Sequence, residues 1–484
     1  MRRRGDRCEP QRSGGSAFAR MFKNVGWGLG SRGFNSAASI AYLALAARTL
    51  GPESFGGFVL ILTYGQMIAN LVQFQSWKGV IRYGALHVAA GRQDRLERLF
   101  GFTATLDFGS AFAGALIAAV SVPLIAPLFD WTLEQQTSAA LFGAVLLLTT
   151  GATATGMLRL FNRFDLVAYA EAIGPIVRLG GSIVAWLVGA NVKSFLIIWA
   201  SAAIAQALAQ WIAAVFVNRA RIAFGRLHFK QAVEENERVW RFMLQTNVSN
   251  SVGMFWMQLG TLAVGAVAGA ADAGAFRLAQ RLSKGIVRPM RPVTMALYPE
   301  LSRLVAEDDH AQLRTVVLRL TILAGALAFL VVLVTGIAGR EILGLLAGER
   351  FEFAYAFLFL LSIATAIDLA GFALEPLQDA HGRSWIVLRA RLVAAAAYIV
   401  LLAILLPWLG AQGAAIAAII CSLLIFVQLA LATAEVLRRT GGVSIIAEPD
   451  PAEPVGTSLA PKRARDRLDK SQPLASRAIS SGMS

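Results

Sequence analysis

The sequence predicts an all-α polytopic membrane protein with about twelve transmembrane helices. Composition is the first ground. Hydrophobic residues make up 56% of the 484 and charged residues only 15%, where soluble chains usually carry about 25% charged. The second is the recurrence of mostly apolar runs of about twenty residues, the length a spanning helix needs. The third is that Lys and Arg gather in alternate connectors, the pattern that sets membrane orientation.

The runs fall at 25–47, 55–77, 100–122, 138–158, 166–188, 195–217, 242–267, 274–297, 315–338, 353–373, 384–406 and 412–436. Residues 1–23 form a basic tail with seven Lys/Arg. The apolar run after it is longer than a secretory h-region and reads as a retained first helix. With that tail inside, the inner segments hold 31 Lys/Arg and the outer ones 4. Both ends are then cytoplasmic. The expected parts are the tail 1–23, a first lobe 24–217, a basic linker 218–241, a second lobe 242–436 and a disordered tail 437–484. Although the net charge is +15, the basic residues are dispersed among apolar runs. No nucleic-acid partner is therefore expected.

The halves resemble each other at an offset of 218. Leu50-Gly51-Pro52-Glu53-Ser54-Phe55-Gly56-Gly57-Phe58 opens the second helix, and Ala268-Gly269-Ala270-Ala271-Asp272-Ala273-Gly274-Ala275-Phe276 opens the eighth. An even number of helices per half gives both lobes one orientation, related by an axis along the membrane normal.

The eighth helix carries Arg277, Arg281, Lys284, Arg288 and Arg291 at spacings of 4, 3, 4 and 3. At about 100° per residue they share roughly 80° of arc. A helix lying flat on the inner surface would also carry such a stripe, but every later segment would then change side. For a crossing helix, each cation facing lipid costs roughly 3 kcal/mol, and five cost on the order of 15 kcal/mol. The stripe is therefore expected to line a wet cavity, on a helix kinked by Pro289 and Pro292. At the same offset, Lys284, Arg288 and Arg291 answer to Gln66, Asn70 and Gln73. These polar residues suit sugar hydroxyls, or simply bond neighbouring helices. Arginine stays protonated and grips phosphate bidentately, so the expected ligand carries phosphate or several carboxylates.

Arg32 and Arg178 are further intramembrane cations, and Glu171 lies seven residues before Arg178 on the same helical face. Asp107, Glu171, Asp368 and Glu375 are candidate ion-coupling acids, or neutralise nearby arginines. Gly28-Leu29-Gly30-Ser31-Arg32-Gly33 fits G-x-G-x-x-G, yet no strand precedes it, so the glycines are assigned to helix packing. No Walker sequence is present. Cys8 and Cys421 make no disulfide framework, and His87, His228, His310 and His381 have no metal-ligand spacing. No metal or cofactor is expected.

Several segments resemble the polysaccharide flippase branch of the superfamily that includes the multidrug and toxic-compound extrusion transporters. Arg48-Thr49-Leu50-Gly51-Pro52-Glu53-Ser54-Phe55-Gly56 is similar to that branch's turn after helix 1. Leu158–Asp165, Tyr298–Ser302, Gly348–Phe351 and Leu406–Ala415 resemble its later motifs, and the likeness spans about 20–436. The resemblance implies a fold of two six-helix lobes around a central cavity in a bacterial inner membrane, and export of an oligosaccharide carried on undecaprenyl diphosphate, for O-antigen, capsule or exopolysaccharide. It also implies work beside glycosyltransferases and a polymerase. Arg32, Arg277, Arg281, Lys284, Arg288 and Arg291 are then expected to hold the diphosphate, and Gln66, Asn70 and Gln73 the sugars. One alternative is an ion-coupled small-molecule antiporter, against which the cationic stripe argues for cationic drugs. Another is a membrane polymerase or ligase, for which the longest outer connector, 123–137, is short.

Overall fold

Gly51 has φ 71° and ψ 172°, a backbone that a side chain would strain. Pro52 follows, pre-set for a helix start and with no N–H to lose. Together they interrupt helix α1, Gly14–Val72. Tyr42 and Phe58 prove that the chain doubles back. In a straight helix they would lie about 24 Å apart, yet both rings pack edge-on against Trp199, at 5.1 and 5.0 Å. The second half repeats the device at Gly269, with φ 91° and ψ 174°, between α9 (Val239–Ala268) and α10 (Ala270–Val287). A Cβ on Gly260, the counterpart of Tyr42, would lie 3.6 Å from Phe276, the counterpart of Phe58.

The computed structural model describes the backbone of residues 14–218, 229–287 and 301–439 apart from 302, 306, 308 and 309. It describes their side chains too, except at 14–32, 218, 248–250, 252–257, 286–287, 310–311 and 436–439. After α1 come α2 (Ser76–Ala89), α3 (Gln93–Ile125), a 3-10 turn (Ala126–Phe129), α4 (Leu133–Leu148), α5 (Ala152–Leu160), α6 (Phe164–Val188) and α7 (Val192–Asn218). A short α8 (Phe229–Glu235) leads to α9 and α10. The second lobe then repeats the order. It runs α11 (His310–Ala347), a 3-10 turn (Glu349–Ala354), α12 (Tyr355–Ala370), α13 (Leu374–Ala380), α14 (Ser384–Leu409) and α15 (Ala411–Arg439). No strand occurs among the described residues.

The repeat extends to helix ends. Asn162 (φ 58°) and Gly382 (φ 72°) are left-handed. The next amides, Arg163 and Arg383, bond Leu158 O at 2.8 Å and Gln378 O at 2.9 Å. Both are the 6→1 bond of a Schellman turn.

Among the described residues, nine helices are long and apolar enough to cross a membrane, the first of them containing the Gly51 bend. That bend makes two crossings of one span, and α9 and α10 complete twelve. Two expected helices are broken instead of continuous. The run 55–77 stops at Val72 and resumes at Ser76. The run 138–158 breaks at 149–151, and the run 353–373 ends at the corresponding gap, 371–373, beyond which a further helix follows. In the bilayer a freed backbone group needs a protein partner. Trp211 Nε1 donates to Thr150 O at 2.8 Å, and Asp107 on α3 takes the Thr153 amide at 2.8 Å. The eighth run is described only to Val287.

The lobes meet in one apolar core. Phe55, Phe58, Phe276 and Phe351 are fully buried there. Gly56 and Gly274, equivalent at the offset of 218, lie against each other. A Cβ on Gly274 would come 2.9 Å from Gly56 Cα, and one on Gly56 would strike Ala270 O at 1.8 Å. Only hydrogen at both positions lets the two backbones approach. Outside, Phe112, Leu116, Val120 and Leu124 of α3 form an exposed apolar row. Lipid is the solvent that such a face requires.

Candidate functional site

The second half of α1 runs from the Gly51 bend to Val72, and its far part is polar. Gln66, Asn70 and Gln73 line a cavity of about 350 Å3, closed on other sides by Thr149, Arg178, Gln206, Gln210 and Gln258. A second cavity of about 310 Å3 shares Arg178, Gln206 and Gln210 with it and adds Asn35, Tyr42, Glu171 and Arg281. Gln66 lies about 22 Å along the helix from Gly51. The cavities thus occupy the half of the bundle away from the bend.

The lobes share this wall. Gln66 Oε1 accepts Arg277 Nη2 from α10 and Gln258 Nε2 from α9, each at 3.2 Å. Arg277 Nη1 also donates to Gln280 Oε1 at 3.1 Å, and Arg281 Nε to Ser39 Oγ at 3.1 Å. Gln73 Nε2 donates to Leu147 O, 3.2 Å away, next to the α4–α5 break. Ser251 Oγ donates to the main-chain carbonyl of Asn70 at 2.7 Å. Lys284 lies within electrostatic reach of Asp368. Arg288 and Arg291 lie outside the described residues, as does the side chain of Arg32.

Arg178 and Glu171 do not pair as their spacing on one helix suggests. Glu171 Oε1 lies 3.5 Å from Arg159 Nη2, whose guanidinium stacks on Trp77 at 4.7 Å. Arg178 instead stands 5.9 Å from the ring centres of both Tyr42 and Trp199. Its buried Nε has no acceptor among the described residues, and the side chain lines both cavities. Each lobe therefore brings a guanidinium to the second cavity, Arg178 from the first and Arg281 from the second.

Gln206, Gln210 and Gln258 were not singled out from the sequence. Gln206 and Gln210 stand one turn apart in an otherwise apolar helix, which is a readable signal. Glycines make room for them. A Cβ on Gly174 would meet Gln206 Oε1 at 2.3 Å, and one on Gly151 would meet Gln210 Oε1 at 1.8 Å.

The remaining acids are placed elsewhere. Asp107 is buried and takes three hydrogen bonds, from Ser76 Oγ, from Thr153 N and from Thr153 Oγ1 at 2.7 Å. Ser76 opens α2 and Thr153 lies in the first turn of α5. The carboxylate therefore caps the start of α5, where backbone N–H groups favour negative charge, and ties it to the Ser76 hydroxyl at the start of α2. Glu375 forms a two-pronged pair with Arg391, at 3.2 and 2.6 Å. Groups of three or more metal-ligating side chains are absent among the described residues.

A family model described as "polysaccharide biosynthesis protein" matches residues 45–355. The inner membrane protein YghQ of Escherichia coli (strain K12) is 28% identical over 343 residues, covering 70% of this chain and 96% of that protein. Two solved structures share the fold. One is a multidrug resistance MATE family transporter of the MOP superfamily in an inward-facing conformation. It has TM-score 0.60 and 14% identity, covering 86% of this chain and 96% of that one. The other is the lipid II flippase MurJ in an inward closed conformation. It has TM-score 0.61 and 12% identity, covering 83% and 86%.

Proposed function

This chain belongs to the family of polysaccharide biosynthesis proteins, and from that premise we propose that it is a flippase for a lipid-linked oligosaccharide carried on undecaprenyl diphosphate. The observation that carries the reading is the wall of the paired cavities, where amides outnumber charges and the cations are arginines from both lobes. Such a lining matches a ligand with a diphosphate at one end and hydroxyls at the other. Guanidinium forks suit phosphate oxygens, and amides both donate to and accept from sugar hydroxyls.

In this reading Arg277, Arg281 and Lys284, with Arg288, Arg291 and Arg32, draw the diphosphate from the inner leaflet, and Arg178 joins them from the first lobe. Gln66, Asn70 and Gln73, extended by Gln206 and Gln210, hold the sugars. Both chain ends are cytoplasmic, and the Gly51 end of the bundle faces outward. The lobes rock so that the cavity closes on one side and opens on the other. Among the acids, Asp368 suits ion coupling best, because a nearby Lys284 lets a gained or lost charge be felt by the ligand site. Glycosyltransferases and a polymerase supply and consume the cargo.

The test is the double substitution R178Q/R281Q. It removes two cations while keeping side chains able to hydrogen-bond. Lipid-linked oligosaccharide should accumulate on the inner leaflet, and surface polymer should fall at least about tenfold, the effect of about 1.4 kcal/mol. Normal surface polymer from a double variant expressed at wild-type level sinks the reading.

A further inference from the structure

The Gly51 end of the bundle is held shut by more than packing. Arg48 stands three residues before the bend, in the first lobe. Its Nη2 crosses to the second lobe and donates to two carbonyls, Gly344 O at 3.3 Å and Leu345 O. Both carbonyls belong to the last turn of α11, which ends at Ala347. The last four carbonyls of a helix have no partner within it, and they carry the negative end of the helix dipole. Gly348, at φ 93°, turns the chain away and bonds Gly344 O at 3.0 Å. Leu345 O is left to the guanidinium.

The contact has a reciprocal. Arg350, two residues past Gly348, reaches back over the first lobe's bend. Its Nη1 lies 3.6 Å from where a Cβ on Gly51 would stand. Beneath the two arginines, Phe55 of the first lobe meets Phe351 of the second edge-on at 5.6 Å. All these contacts join different lobes, so all must part for this end to open.

We infer that Arg48 is the polar latch of the closed end, and that its release from the α11 terminus is a required step of opening there. The apolar and glycine contacts are short-ranged and give fit. The charge-assisted bond supplies a discrete catch that is either made or lost. Removing it shifts the population toward the state open at this end. The inference rests on the alternating-access reading above, with this end outward, but not on the identity of the cargo.

Spin labels test it on the full-length protein in vesicles, with Cys8 and Cys421 replaced. Labels at Leu133 and Trp408 suit this, since both are exposed, by 79% and 87%, one on each lobe. Lys193 pairs with Glu134 at 2.8 Å, which places the α6–α7 turn beside the start of α4. Trp408 stands in the repeat where that turn does. The measurement uses no ligand, so it is separate from the fate of the flippase reading. R48Q should raise the ratio of long to short distances about tenfold. R48K keeps a charge but loses the fork, and should raise it two- to threefold. An R48Q distribution equal to wild type overturns the latch, and so does an R48K shift as large as that of R48Q. Where R48Q yields no folded protein, R48K alone decides, and an unshifted R48K overturns it.

Discussion

Asp107 illustrates how much a single side chain in this bundle depends on its neighbours. An acid in an apolar helix is a functional candidate by default, and the sequence offers no more than that. Ser76 and Thr153, distant in the chain, converge on it, and only the assembled lobe brings them there. Asp107→Leu keeps the shape but offers no acceptor, so the Thr153 amide and both hydroxyls lose their partner. It should cost about 2 kcal/mol, read as a lower midpoint of thermal unfolding in detergent. A midpoint equal to wild type would show that the start of α5 does not depend on the carboxylate. Glu171 teaches the same lesson. Its spacing to Arg178 was legible and its salt bridge to Arg159 was not, because helical periodicity sees neighbours along one helix and none across two.

Among the elements, the bends at Gly51 and Gly269 were legible, since Gly and Pro are strong local punctuation. The break at 149–151 was hidden, whereas the matching gap at 371–373 coincides with the end of an expected run. Thr149, Thr150 and Gly151 interrupt the run without lowering its apolar character enough to end a span. What makes the break affordable is tertiary, the side chains of α3 and α7 that take up the freed groups. Another element, α8, is a linker piece docked on the first lobe. Glu235 takes Arg98 two-pronged, at 2.9 and 2.6 Å, and Asn236 meets His87 at 2.9 Å. The Arg98 hydrogen bonds hold the Glu235 carboxyl below the usual glutamate range. Its contribution is complete above that range and is lost as pH falls through the lowered value. A spin label at Lys230 should therefore be immobile near neutral pH and become mobile only in strong acid. E235Q should loosen it at neutral pH by about 1 kcal/mol, since the pair is partly exposed. A label equally mobile at every pH, in wild type and variant alike, would show that α8 is not held by this pair.

Taken whole, the molecule is two copies of one six-helix plan. The sequence carried that plan in a short stretch of glycines, and the structure extends it to bends, breaks and helix ends. The cationic stripe was legible as a pattern. The amides of α7 and α9 facing it were not, because a few polar residues in an apolar run look like ordinary helix glue. Gly56 and Gly274 add something about history. A residue touching its own counterpart is the hallmark of an isologous, twofold interface. Half of this chain already owns the self-complementary surface by which two separate copies would pair, with the covalent join serving as a tether. Cut within residues 219–228 and produced as two polypeptides, the halves should co-purify as a one-to-one complex, each an unfused protomer of a pseudo-dimer. Halves that migrate separately would mean that the tether, and not the glycine contact, holds the subunits together.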